Sequence, residues 1–202
     1  AKLLKLLDSK GMTGLAYWDN GFKQMSANKK LISPADYKGL KFRIQSSKVL
    51  EAQFRTLGSI PQVTALSDVY QALQTGVVDV GENSVNVYLI NKHYEPAPVL
   101  SMTQHEANNA ILWISDKLWQ SLNDDQKKWV LQAGRDVSTQ EPKKAFDLER
   151  SAADKLKAIG IKIVPDVDKS GFSKISDPML DKLAKELGPH ADKIKTLIKS
   201  IQ

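Results

Sequence analysis

The 202-residue chain contains no cysteine. That excludes disulfide staples, thiolate nucleophiles and cysteine-ligated zinc, while leaving the compartment open. Histidine is scarce, and His93, His105 and His190 have neither helical spacing nor an H-E-x-x-H context, so no metal site is predicted. No apolar run approaches the roughly 20 residues that span a bilayer. The opening Ala1-Lys2-Leu3-Leu4-Lys5-Leu6-Leu7 is too short and too charged for a secretory core, so any signal peptide lies outside this chain. G-x-S-x-G, Walker A and G-x-G-x-x-G are all absent, which removes the hydrolase elbow, the P-loop and the dinucleotide fold, and no cofactor is predicted. Glycine and proline, 11 and 8 residues, are scattered, so there is no flexible linker or low-complexity tract.

What is present is an ordinary globular composition, 42% hydrophobic and 26% charged, with a core's worth of apolar residues. The net charge is +6, but only four of the 29 basic residues are arginine (43, 55, 135 and 150) and the rest are interleaved with acids. That pattern predicts a solvated lysine surface and not a nucleic-acid site.

Along the chain, the opening apolar residues up to Gly11 read as the end of an amphipathic helix. Residues 13–18 read as a strand stopped at Asp19-Asn20-Gly21. Leu40, Phe42 and Ile44 alternate with Lys41, Arg43 and Gln45, a strand with an apolar and a polar face. Ser46-Ser47 can cap a helix that ends at Gly58; residues 60–64 form a short strand whose Pro61 belongs towards a sheet edge or at the strand's own start. Ser67 caps a helix running to Gly76, and residues 77–80 form the next strand, leading into Gly81-Glu82-Asn83. Residues 39–83 thus alternate strand, helix, strand, helix, strand. Such a unit forms a mainly parallel sheet that receives ligands at its strands' C-terminal ends, where Arg43 and Glu82-Asn83 fall. Residues 110–114 read as a buried strand, with Trp113 and Trp119 in the core. Asn123 and Gln126 have capping-box spacing and open a helix to about residue 159, which Pro142 should kink or break. Residues 161–164 read as a last strand and 178–202 as one or two helices divided at Gly188-Pro189.

Few residues on this scaffold suggest chemistry. Asp79 and Glu82 could be pictured as an acid/base pair, but carboxylates at a strand end are more often hydrogen-bond anchors. Arg43 is the one arginine on a strand-like segment. Its planar fork matches a carboxylate bidentately and its charge persists at any physiological pH. From the residues alone, an exposed place on the strand's polar face is an equally open reading.

Trp18-Asp19-Asn20-Gly21-Phe22-Lys23-Gln24, Tyr37-Lys38-Gly39-Leu40-Lys41-Phe42-Arg43-Ile44-Gln45 and Val69-Tyr70-Gln71-Ala72-Leu73-Gln74-Thr75-Gly76-Val77-Val78-Asp79 together resemble the DctP-type solute-binding proteins of TRAP transporters. The resemblance extends through Gly81-Glu82-Asn83 and Thr103-Gln104-His105. It implies an extracytoplasmic, periplasmic receptor that performs no catalysis and delivers a small organic acid to TRAP membrane permease subunits. It also implies that Arg43 pairs with the ligand's carboxylate, that Asn83 helps to hold it, and that Lys23 adds a basic group. Gln45, Leu66, Glu82 and Asn108 complete the expected ligand-binding set. Leu66 stands where relatives often have Phe. Glu106-Ala107-Asn108-Asn109 stands where they often have Gly-Tyr, and these extra amides suit a ligand bearing hydroxyl or amide groups.

The implied fold is the two-domain periplasmic-binding-protein (type II-like) α/β architecture, with mainly parallel sheets and a long helix spanning both domains. Residues 1–20 would end a first-domain segment, 21–106 form the second domain, 107–148 return to the first, and 149–202 complete the second. The chain matches the C-terminal two thirds of such a protein, so the N-terminal part of the first domain is not represented, and association that compensates for it is an expectation. The rival readings are a small-molecule enzyme of similar shape using Asp79, Glu82 or Lys23, which would show turnover, and an effector-binding regulatory domain. The second needs a helix-turn-helix, which this sequence does not display.

Overall fold

The structure, a computed structural model, describes residues 3–200; residues 1–2 of the predicted opening helix and 201–202 of the predicted last one lie outside the described residues. The chain divides into two compact units: residues through Lys23 with Ser84–Asn86 and Gln104–Lys155, and Gln24–Asn83 with Val87–Thr103 and Leu156 onward. The boundary falls inside three long elements: strand β1 (Met12–Ala27), strand β5 (Val99–Ser115) and helix α5 (Asp124–Ala158).

The second unit is built on β2 (Lys41–Ile44), α1 (Lys48–Thr56), β3 (Ile60–Val63), α2 (Val69–Gln74), β4 (Val80–Asn83) and α3 (Val85–Ile90). Strand β6 (Lys162–Val164) and helices α6 (Lys169–Leu187) and α7 (Pro189–Lys199) close the chain. The strand order is β3-β2-β4-β1-β5-β6. β2 runs parallel to both β3 and β4, β5 runs parallel to β6, and β1 pairs antiparallel with β4. This is the mainly parallel α/β sheet that the alternation predicts. β3 is its edge strand. Ile60 and Thr64 donate their amides to Leu40 and Ile44, so in a parallel ladder the intervening odd position would turn its amide outward. Pro61 occupies that position and has no amide to offer, which blunts the edge against pairing with another strand.

The register fixes which side chains share a face. Phe42 lies level with Val80, and Met25 and Ala27 pair with Glu82 and Val80. Phe42, Ile44, Val80, Met25 and Ala27 therefore point to one face, and all five belong to a single buried cluster with Leu50 and Phe54 of α1. The rings of Phe42 and Phe54 stack at 3.7 Å, and Phe172 of α6 meets Tyr37 edge-on at 5.2 Å. The opposite face is covered by α2, where Val69, Ala72 and Leu73 pack with Val78 and Ala97.

Several local expectations give way to tertiary context. The opening segment is a 3-10 helix, Leu4–Lys10, capped by Gly11 in the left-handed region. β1 does not stop at Asp19-Asn20-Gly21. The Asp19 carboxylate accepts the Gly21 amide at 2.8 Å, absorbing the turn signal inside a continuous strand. Gly21 has φ +73°, and a Cβ there would meet the Glu149 side chain at 3.0 Å, so both conformation and space require glycine. Ser67 caps nothing; it lies within a 3-10 turn, Leu66–Asp68, and its hydroxyl bonds the Asp68 carboxylate. β4 starts at Val80 and not at Val77, because the amides of Val78 and Asp79 are taken by the carbonyls of Ala72 and Lys41. Residues 110–114 lie in β5, where exposure alternates and is not uniformly low. Trp113 is 52% exposed and Trp119 half-buried, so neither is a core residue among the described ones.

The capping box of Asn123 and Gln126 forms as predicted, each side chain bonded to the other's amide at 2.9–3.0 Å. α5 nevertheless continues through Pro142 for 35 residues. Pro142 is exposed, so water can satisfy the carbonyl that it leaves without a partner. α6 likewise passes through Pro178 and begins at Lys169, where the Asp168 carboxylate caps the Gly171 amide at 2.9 Å.

Phe54 is fully buried between strand and helix. Phe54→Ala should cost about 3–5 kcal/mol in denaturant unfolding; a loss below about 1 kcal/mol would mean that this ring stack does not hold α1 to the sheet.

Candidate functional site

Arg43 sits one residue before the C-terminal end of β2 and is 3% exposed. The alternation predicts a polar, outward face; instead α2's side of the sheet closes over it. Its Nε donates to the Thr64 carbonyl at 3.0 Å, and its guanidinium forms no other hydrogen bond among the described residues. The terminal amino groups thus keep their donors for something else. Burial pulls its pKa down, and the negative charge of Glu82, itself 2% exposed, opposes that shift. A guanidinium nonetheless stays protonated at any physiological pH, so a full positive charge is held in a poorly solvated place.

The strand register sets Arg43 level with Gly81, and Gln45 level with Asn83. Across the antiparallel ladder Asn83 pairs with Gln24, and Gly81 with Ser26. Arg43, Gln45, Asn83 and Gln24 therefore lie on one face, at the strand ends where a parallel sheet receives ligands. Gly81 is closely packed in this row: a Cβ there would come within 3.3 Å of Ser26 Oγ and 3.5 Å of Leu73. Glu82, one residue along, belongs to the other face. Gln24 is 3% exposed, Asn83 half-buried and Gln45 exposed. Leu66 is 46% exposed on its 3-10 turn. The sequence brought Gln24 into a motif without marking it as a site residue; the ladder is what places it beside Asn83.

His93 was also missed. It is 3% exposed, follows α3 in a turn where its amide bonds Tyr88 and its carbonyl accepts from Ala97, and its pKa is lowered to about 4 by burial and by the charge of Arg43. Nothing in Asn91-Lys92-His93-Tyr94, a polar stretch with no periodicity, signals that burial. Asp79 is a structural anchor, as its context suggests: its carboxylate accepts the Lys41 amide at 2.8 Å.

The other unit holds Lys23 and Asn108. Lys23 is 1% exposed and its ammonium is 3.1 Å from the Glu106 carboxylate. Its charge therefore already has a protein counter-ion. Glu106 and Asn108 share a face of β5 by alternation, and Asn108 is half-buried. In the same unit Glu149 of α5 accepts the amides of Val85 and Asn86, each at 2.9 Å, which fixes the chain where it leaves β4. Burial raises the Glu149 pKa, and these hydrogen bonds limit the rise.

The chain belongs to the bacterial extracellular solute-binding protein family 7 (DctP), whose family model matches residues 1–187. It is 37% identical over 189 residues to the C4-dicarboxylate-binding periplasmic protein DctP of Rhodobacter capsulatus, covering 92% of this chain and 57% of that protein. Among solved structures, a TRAP periplasmic solute-binding protein from Xanthobacter autotrophicus with bound β-D-galacturonate superposes with TM-score 0.92 at 25% identity, covering 98% of this chain and 66% of that one. One from Shewanella oneidensis with bound succinate superposes with TM-score 0.90 at 29% identity, covering 95% of this chain and 64% of that one. The chain therefore spans less than two thirds of these relatives, and within that span it has the α/β fold of TRAP periplasmic binding proteins.

His93 yields a pH test. Its native pKa of about 4 lies below the ordinary 6.5, so between those values the unfolded chain binds a proton that the native chain does not. The native state loses that advantage as pH falls through the window. Measured by denaturant unfolding, the wild type should lose stability relative to His93→Leu from pH 6.5 to 4; a constant gap would show that His93 is not held neutral.

Proposed function

We propose that this chain is the ligand-gripping part of a TRAP-transporter receptor, working outside the cytoplasm. It takes up a small organic acid by its carboxylate on Arg43, performs no chemistry on it, and hands it to a membrane permease. The observation that carries this reading is the state of the Arg43 guanidinium: buried, anchored through Nε to the Thr64 carbonyl, and otherwise without hydrogen bonds among the described residues. A carboxylate accepts from two parallel N–H groups in the geometry that the guanidinium presents. The neighbouring Asn83 and Gln24 amides can serve the rest of such a ligand. Relatives with bound succinate and galacturonate share a carboxylate and little else, which agrees with a fixed anchor and a variable remainder.

Two further features support a receptor over an enzyme of similar shape. Asp79 is spent on the Lys41 amide, and Lys23 is paired with Glu106. Neither is left as a ready acid or base.

Isothermal titration of the full chain with succinate and with galacturonate tests the proposal. Arg43→Ala should weaken whichever acid binds by at least about thirtyfold, the effect of removing one partner of a buried charge pair, ~2 kcal/mol or more. Circular dichroism should report an unchanged fold. Binding retained within a few-fold by a folded Arg43→Ala would overturn the assignment.

A further inference from the structure

Ser84, Val85 and Asn86 belong to the first unit, although the chain on either side of them, through Asn83 and from Val87, belongs to the second. One side chain holds all three. The Glu149 carboxylate of α5 accepts the Val85 amide on Oε2 and the Asn86 amide on Oε1, each at 2.9 Å, and the Ser84 hydroxyl bonds the same group. Val85 opens α3, so these amides are two of the donors that a helix leaves unsatisfied at its start. A serine in the place before a helix usually caps it with its own hydroxyl. Here Ser84, 1% exposed, turns that hydroxyl to Glu149, and the cap arrives from a residue 64 positions away. The other side of Glu149 is equally confined. A Cβ on Gly21 of β1 would meet its Cγ at 3.0 Å and its Oε2 at 3.3 Å, so glycine is what lets the carboxylate lie against the strand. The two places that Glu149 ties together come shortly before Gln24 and directly after Asn83, which are partners in the antiparallel ladder.

Resting on the carboxylate-receptor reading of Arg43, we propose that Glu149 is a positioning residue for ligand binding: its ionised carboxylate fixes Ser84–Asn86, and through the chain it sets the direction of Asn83 on the face that carries Arg43. Only the ionised form takes both amides, because a protonated carboxyl gives one oxygen over to an O–H that faces a donor. Burial raises the Glu149 pKa, its hydrogen bonds to Asn86, Val85 and Ser84 oppose the rise, and the charge of Asp19 on β1 adds to it. Other charges are remote or spent. α3 carries no charged residue, Lys23 of β1 is paired with Glu106, and the α5 positions one turn from Glu149 are Ala145, Phe146, Ala152 and Ala153. The clasp therefore opens as pH falls through a value above the ordinary carboxylate range, and it is closed at neutral pH.

Calorimetric titration of the full chain with succinate and with galacturonate tests the role. Glu149→Ala should weaken whichever acid binds by about tenfold, and Glu149→Gln, which keeps the shape and one acceptor, by about threefold, the range of one net hydrogen bond. Circular dichroism reports whether each variant folds, and the Gln variant supplies the measurement if the Ala variant does not. The pH profile separates an ionised clasp from mere packing. The ratio of wild-type to Glu149→Gln affinity should be largest at neutral pH and fall towards one as the pH is lowered to 4, since proton uptake by the ligand and by His93 is common to both. Unchanged affinity in the folded Glu149 variants, or a ratio that does not move with pH, would overturn the role of Glu149. Loss of binding in Arg43→Ala beside either result would show that the anchor stands without it. A wild type that binds neither acid removes both claims.

Discussion

A guanidinium does not lose its proton at physiological pH, so burying one obliges the surroundings to answer for a permanent charge. Arg43 is in that position. The protein meets the obligation in part, with the Thr64 carbonyl on Nε and the charge of Glu82 nearby. It leaves the terminal amino groups without hydrogen bonds among the described residues. An anion that brings both charge and two acceptors completes the arrangement, and a carboxylate is the common biological group of that shape. The strand that carries this fork is held from several sides. β2 is pinned on both sides by parallel neighbours, and the stacked Phe42 and Phe54 rings press it onto α1.

The same charge shapes its neighbours. His93 is kept neutral by burial and by Arg43, so it adds no second positive charge beside the guanidinium. Gly81, level with Arg43 on the adjacent strand, lets Ser26 and Leu73 pack close against the backbone there. Gln24 and Asn83 stand further along the same face as partners in the antiparallel ladder. Solved structures similar to this chain hold acids as different as galacturonate and succinate, which have a carboxylate in common.

Much of this was legible in the residues, for reasons that can be named. The alternation of strand and helix over residues 39–83 depends on local periodicity and glycine caps, and it is present as read, with Ser47 capping α1 and Gly58 and Gly76 in the left-handed region. The long helix from its Asn123 capping box was readable for the same reason. Errors arose wherever a distant partner overrode a local signal. The Asp19-Asn20-Gly21 turn signal is absorbed into β1 beside Glu149, and Val77 is left out of β4 because α2 and β2 take the amides that follow it. Arg43 occupies a position that period-two reasoning assigns to the polar face, and only the layer of α2 makes that face an interior. His93 and Gln24 illustrate the limit of one-dimensional reading. Each matters through its place in a ladder or turn that brings distant residues together, and neither carries a pattern of its own.

The arginine content offers a clean measurement, since the chain has only four. With nitrogen-15-labelled arginine, the terminal guanidinium N–H signals can be followed by NMR during titration with malate, and Arg43→Lys assigns the relevant set. The account predicts that the Arg43 signals shift and sharpen as the ligand carboxylate takes them, while those of Arg55, Arg135 and Arg150 stay in place. A saturating ligand that leaves the Arg43 signals unmoved would contradict it.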